Sequence, residues 1–180
     1  MYNGPNRKIQ RLQGFDYSNN GYYFITICTK NRENYFGNVV DSNMILNDYG
    51  KIAENEILKT QQIRKEITIN EYIIMPNHLH LLILIDNNDY SSLNKLSSQG
   101  SDHNDSLLSI TKNTLSNSIQ RIKSSITSNI RKQHNDFTFS WQKSFYDAIV
   151  TNDVQLNRII QYIVENPSKW QLDINNLYGL

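Results

Sequence analysis

Ile67-Thr-Ile-Asn-Glu-Tyr-Ile-Ile-Met75, then Pro76-Asn77, then His78-Leu-His-Leu-Leu-Ile-Leu-Ile85: two apolar runs of strand length stand on either side of a proline. Proline has no N–H to give to a ladder, so a turn or bulge belongs at Pro76-Asn77. Upstream, Tyr22-Tyr-Phe-Ile-Thr-Ile-Cys-Thr29 is aromatic and β-branched, follows Gly21 and precedes the polar residues Lys30–Asn34, and reads as another strand. Val39 to Leu46 reads as a short hairpin turning at Asp41-Ser42-Asn43. Between that hairpin and Ile67, Asp48 to about Arg64 has no proline and only Gly50, in its first turn. It sets Tyr49, Ala53, Ile57 and Thr60 at i, i+4, i+8 and i+11, an amphipathic helix. Downstream, Leu115, Ile119, Ile122, Ile126 and Ile130 form a second helical stripe. Trp141 to Val150 reads as a strand, and a final helix capped by Asn152 or Asp153 runs to Asn166 and stops at Pro167. The order β-α-β-β-α-β-α with short strands favours an α+β fold, an antiparallel sheet with helices packed on one face.

The 180 residues amount to one domain, long enough to bury a core. Lys and Arg number 18 against 17 Asp and Glu, a net charge of +1, which excludes a globally basic DNA-coating protein and an acidic tail protein. A single cysteine, Cys28, excludes a disulfide framework and a Cys-rich zinc site. No apolar run approaches the roughly 18–20 residues of a membrane span, and the first twenty residues lack the apolar core of a signal peptide. The expectation is a soluble, intracellular, single-domain protein. Met1 to Asn20 is a basic arm with Arg7, Lys8 and Arg11 and no acid before Asp16. Residues from about 86 to 113 are rich in Asn, Ser and Asp with little periodicity, and read as a flexible surface insertion.

Three groups of residues bear on chemistry. His78 and His80 open a strand, and period 2 puts both imidazoles on one face with Leu79 on the other. Such a pair can hold one divalent metal with a third ligand from elsewhere; the competing reading is two polar residues on a solvated face. On the last helix the stripe is Leu156, Ile159, Ile160 and Ile163. Tyr162 lies roughly 120° from Leu156, off that stripe, with Asn166 one turn further on the same side. A phenol nucleophile beside an amide oxygen is one reading, a tyrosine packed on the rim of the core the other. Between Ser106 and Asn135 stand Lys112, Arg121, Lys123, Arg131 and Lys132 with no acid. With the arm and Lys30 and Arg32 added, this strip reads as a phosphate-tracking surface rather than a solvated helix face.

These residues carry a resemblance. Tyr72-Ile-Ile-Met-Pro-Asn-His-Leu-His80 resembles the core of the HUH (His-hydrophobe-His) single-tyrosine transposases, especially the REP-associated tyrosine transposases. Trp141-Gln-Lys-Ser-Phe-Tyr-Asp147 and Tyr162-Ile-Val-Glu-Asn-Pro-Ser-Lys-Trp170 resemble that group's two C-terminal blocks. Arg11-Leu-Gln-Gly-Phe-Asp-Tyr17 and Tyr23-Phe-Ile-Thr-Ile-Cys-Thr-Lys-Asn-Arg32 match as well, so the likeness spans nearly the whole chain outside 86–113. It implies a ferredoxin-like antiparallel sheet with the histidine pair on a central strand and the tyrosine on a C-terminal helix. It implies cutting and rejoining of single-stranded DNA with Mg²⁺ or Mn²⁺, at hairpin-forming repeats.

Residue by residue, the resemblance puts His78 and His80 on the metal ligands and Tyr162 on the nucleophile. Asn166 falls where the insertion-sequence branch uses a Gln as third ligand, and its reach is one methylene shorter. Trp141 and Lys143 join the DNA-contacting set. The implied partner is single-stranded or hairpin DNA, with no membrane; the chain would act as a monomer or homodimer in the prokaryotic cytoplasm, associated with the nucleoid. Tyr162 would attack phosphorus, leaving a 5′-phosphotyrosyl link and a free 3′-OH, and the link preserves the bond energy for rejoining. A phenol with a pKa near 10 needs help to do so, and the sequence identifies no general base. The rival readings are a domesticated DNA-hairpin binding protein without transposition activity and a His-metal phosphodiesterase that uses water. Tyr146 is the alternative nucleophile.

Overall fold

The computed structural model describes residues 15–64, 67–86 and 114–176. Arg7, Lys8, Arg11, Lys112 and most of the polar insertion expected over 86–113 lie outside the described residues. The elements are β1 (Gly21–Cys28), β2 (Gly37–Val40), β3 (Asn43–Leu46), α1 (Asp48–Ile63), β4 (Ile67–Met75) and β5 (His78–Ile85). They continue with α2 (Thr114–His134), β6 (Tyr146–Val150), α3 (Asp153–Glu165) and a 3-10 segment (Pro167–Leu172). Four strands form one antiparallel sheet in the order β4-β5-β1-β6, and β2-β3 is a separate hairpin between β1 and α1. The chain crosses from β1 to β4 by way of α1 and from β5 to β6 by way of α2, which is the ferredoxin-like arrangement of two interleaved β-α-β units. Pro76-Asn77 is the turn between β4 and β5, where Met75 pairs with His78, and the register shift in β4 falls between Ile69 and Glu71.

Strand alternation sorts the sheet into two faces. Tyr23, Ile25 and Ile27 of β1 and Leu79, Leu81, Ile83 and Ile85 of β5 point to one side and are buried. They meet Ile52, Ala53 and Ile57 of α1 and the stripe Leu115, Ile119, Ile122, Ile126 and Ile130 of α2 in one core. Each such side chain gains roughly 1.5–3 kcal/mol from burial, so this face holds the domain together. Phe24, Thr26, His78, His80 and Leu82 point the other way, under α3 and the 3-10 segment, and of these Thr26, His78, His80 and Leu82 are buried. The expectation of helices on one face holds for α1 and α2, while α3 adds cover on the second face. A strand such as His78–Ile85, apolar at both parities, demands cover on both sides. The solvated-face reading of the histidine pair is overturned: His78 is 0% and His80 2% exposed.

The strand expected from Trp141 is shorter than its pattern. Trp141 makes only an isolated bridge to Thr29, and the ladder resumes at Tyr146. Its indole Nε1 donates to the Lys123 carbonyl (3.1 Å) and Thr127 Oγ1 (3.0 Å), so the ring is tied to α2 rather than to the sheet. Exposed Lys143 and Ser144 then carry the chain back to the edge.

Candidate active site

The site is built from the turn at Asn77 outward. Asn77 is fully buried, and its Nδ2 donates to the carbonyls of Arg32 (3.0 Å) and Asn175 (2.8 Å). Its Oδ1 faces His78 Nδ1 at 2.8 Å. His78 Nε2 lies 3.0 Å from His80 Nε2, and His80 Nδ1 lies 2.9 Å from Thr26 Oγ1 on β1. Phe24 stacks on His80 at 5.1 Å, and Trp170 of the 3-10 segment lies 6.0 Å from His78. Burial holds the His80 imidazole down at about 4, with the Asp173 carboxylate and a hydrogen bond to the Ile25 backbone offsetting only part of that cost. Burial also holds His78 well below its ordinary value, helped by His80 and Arg32. Both rings are therefore neutral at pH 7, the form that ligates metals.

Tyr162 reaches this pair from α3. Its Oη is 3.3 Å from His80 Nε2, and its ring stands edge-on to Phe24 (5.9 Å). The helix is positioned by Asn152, whose side chain accepts from the Gln155 amide, and by Ile163, which is buried. The phenol is 38% exposed, so a substrate can meet it. Burial of the rest and the nearby Asp173 carboxylate raise its pKa, and a hydrogen bond with Asn166 pulls it back in part.

Asp173 is the residue that sequence reasoning missed. One ligand atom from each of His78, His80 and Asp173 lies within 4.8 Å of the others. The Asn175 amide donates to Asp173 Oδ1 (2.6 Å) and Asn166 Nδ2 to Oδ2 (3.3 Å). Asn166 itself is 1% exposed, and among the described residues its Oδ1 has no hydrogen-bond partner. A buried acceptor left unpaired is costly, and here it stands beside a carboxylate and two neutral imidazoles. Nitrogen and oxygen donors so mixed fit a divalent metal.

The residues expected to track phosphate fall elsewhere. Arg121, Arg131 and Lys132 are exposed on α2, and Lys123 is half-buried with its Nζ donating to the Gln142 carbonyl (2.8 Å). Lys123, Arg131 and Trp141 line a groove of about 390 Å³ with Gln120, Thr127 and Ser128. α2 packs on the face of the sheet opposite to that of Tyr162. Lys30 and Lys143 are exposed. Arg32 is the correction: it is 9% exposed and its guanidinium donates to the Ile174 carbonyl, so it ties the C-terminal segment to β1 instead of meeting phosphate. Positive φ at Asn31 and Arg32 turns the chain inward there, which no local pattern announces.

A family model described as Transposase IS200 like matches residues 97–166, a stretch that contains Tyr162 and ends on Asn166. A chain from Haemophilus influenzae, described as an uncharacterized protein, is 31% identical over 175 residues, covering 93% of this chain and 91% of that one. Among solved structures, a REP-associated tyrosine transposase bound to a REP hairpin is similar at a TM-score of 0.54 and 19% identity, over 84% of this chain and 68% of that one. A putative transposase from Deinococcus radiodurans is 15% identical with a TM-score of 0.40, over 87% of this chain and 98% of that one. The four-stranded sheet with its crossing helices is the fold of the HUH transposases. Residues 97–166 thus belong to the IS200-like transposase family. Among the described residues no helix is long and apolar enough to cross a membrane.

Proposed function

We propose that this chain cuts single-stranded DNA at hairpin-forming repeats and transfers the strand through a 5′-phosphotyrosine on Tyr162. The observation that carries the reading is the convergence, in a transposase fold, of the Tyr162 hydroxyl on His80 Nε2 (3.3 Å) beside a His78–His80–Asp173 donor cluster. Tyr162 Oη forms the bond to phosphorus as the bond from phosphorus to the 3′ oxygen breaks, and the phenol's proton is balanced by the proton taken up on the 3′-OH. Rejoining is the reverse. His78, His80 and Asp173, with Asn166 Oδ1 beside them, would hold Mg²⁺ or Mn²⁺. Such an ion, when bound, offsets the negative charge of the scissile phosphate. Phe24, packed against both His80 and Tyr162, keeps the phenol and the imidazole in register.

In this reading residues 1–180 are one domain, and Arg121, Arg131, Lys132, Lys30 and Lys143 hold backbone phosphates, with Arg7, Lys8 and Arg11 of the arm, while Trp141, its indole N–H already bonded to α2, offers the DNA only its ring. Because α2 and Tyr162 occupy opposite faces of the sheet, the phosphates gripped on α2 belong to a different part of the DNA from the one that is cut. The REP hairpin bound by the similar solved transposase supports a hairpin as that gripped part.

The test is a 3′-labelled hairpin oligonucleotide with a single-stranded flank, incubated with Mg²⁺ or Mn²⁺ and run on a denaturing gel. The wild type and Tyr146→Phe give a covalent protein–DNA adduct. Tyr162→Phe binds the same DNA and gives none, at a stability cost of roughly 1 kcal/mol for the lost hydroxyl. An adduct in Tyr162→Phe would transfer the role to Tyr146, and cleavage without an adduct would make the chain a water-using phosphodiesterase. Hairpin binding with no cleavage by the wild type would make it a binding protein.

A further inference from the structure

We infer that Asn77 is a positioning residue of this site: one amide sets which nitrogen of His78 is free and also where Asp173 sits. The inference rests on the metal-site reading above. Both groups facing Asn77 Nδ2, the carbonyls of Arg32 and Asn175, are acceptors only, so the end that faces them is the NH₂. That fixes the amide, and the end facing His78 Nδ1 at 2.8 Å is the carbonyl oxygen, which can only accept. His78 therefore carries its hydrogen on Nδ1 and leaves Nε2 as a lone pair, turned toward His80 Nε2 at 3.0 Å. A ligand histidine whose remote N–H is held by a neighbouring oxygen is fixed in both tautomer and ring orientation.

The second task falls on the other end of the same amide. Asn175, whose carbonyl Asn77 holds, gives its own amide N–H to Asp173 Oδ1 at 2.6 Å. Its neighbours are pinned too, Ile174 by the Arg32 guanidinium and Asn176 through its Nδ2 bond to the Trp170 carbonyl. The backbone carbonyl of Asn77 accepts from the Thr29 amide and hydroxyl, which locks the turn to the end of β1. One buried side chain thus ties the histidine strand to a carboxylate almost a hundred residues away. Aspartate lacks the two donors, and alanine lacks both functions.

The experiment uses the full chain without DNA, with Mn²⁺ as the probe. Imidazole ¹⁵N NMR of the wild type is expected to show His78 as the Nδ1–H tautomer; an Nε2–H tautomer overturns the assignment without recourse to any variant. Asn77→Asp keeps an acceptor for His78 and loses the donors to Arg32 and Asn175. It is expected to retain the tautomer and to weaken Mn²⁺ binding, read by electron paramagnetic resonance, by about 10–100-fold. Asp173→Asn should weaken it comparably, and the double variant little further. Asn77→Ala should release the tautomer as well, a spectroscopic change that a loss of packing alone would not produce. Mn²⁺ binding by Asn77→Asp equal to that of the wild type overturns the inference alone. A wild type that binds no Mn²⁺ overturns the metal reading together with it.

Discussion

His80 shows what burial does to a titrating group. With 2% of its surface exposed, a charged ring there would lose its hydration, and the Asp173 carboxylate returns only part of that loss, which leaves the pKa at about 4. The unfolded chain takes up this proton near pH 6.5 and the native chain does not, so native stability is whole above pH 6.5. It is lost as the pH falls from there toward about 4, at up to about 1.4 kcal/mol per pH unit for one histidine. The urea midpoint is therefore expected to fall between pH 6.5 and 5, where ordinary carboxylates contribute little, and His80→Gln should flatten that decline. A midpoint unchanged over this range would mean that the native ring carries the proton.

At the scale of elements, α3 is the piece most dependent on its ends. It buries only Ile163 outright, and its first turn is closed by Asn152 Oδ1 accepting from the Gln155 amide (2.9 Å) while Gln155 Oε1 accepts from the Thr151 amide (3.0 Å). Asn152→Ala should cost about 1 kcal/mol and lower the melting temperature by roughly 2–4 °C; an unchanged melting temperature would show that tertiary contacts alone hold the helix. The cap, the stop at Pro167 and the off-stripe place of Tyr162 were legible because all three are local, written in spacing within one helix. Asp173 was not, since it sits in a 3-10 exit with no periodicity, and only the fold brings it beside strands from the first half of the chain. The burial of Arg32 was hidden likewise, because it rests on a left-handed turn and a carbonyl at Ile174. The run His78–Ile85 carries its own sign of burial: apolar residues at both parities mean cover on both faces.

For the molecule as a whole, the proposed function puts grip and chemistry on opposite faces of the sheet. The exposed cations of α2 lie behind it and the phenol in front. Replacing Arg121 and Arg131 by Gln should weaken single-stranded DNA binding about equally for unrelated sequences. The plot of log K against log salt should become shallower by roughly 0.7 per lost phosphate contact. A loss confined to one sequence would mean that these side chains read bases.

The double cover of β5 also has a consequence for amide hydrogen exchange. A strand in the middle of the sheet, buried on both faces, opens only when the whole domain does, whereas a helix with one buried anchor opens by itself. Exchange at β1 and β5 should thus report the global unfolding free energy, and exchange along α3 a smaller one. The imidazoles and the phenol then belong to different cooperative units, so mild denaturant detaches the tyrosine from the site before it disturbs the histidine pair.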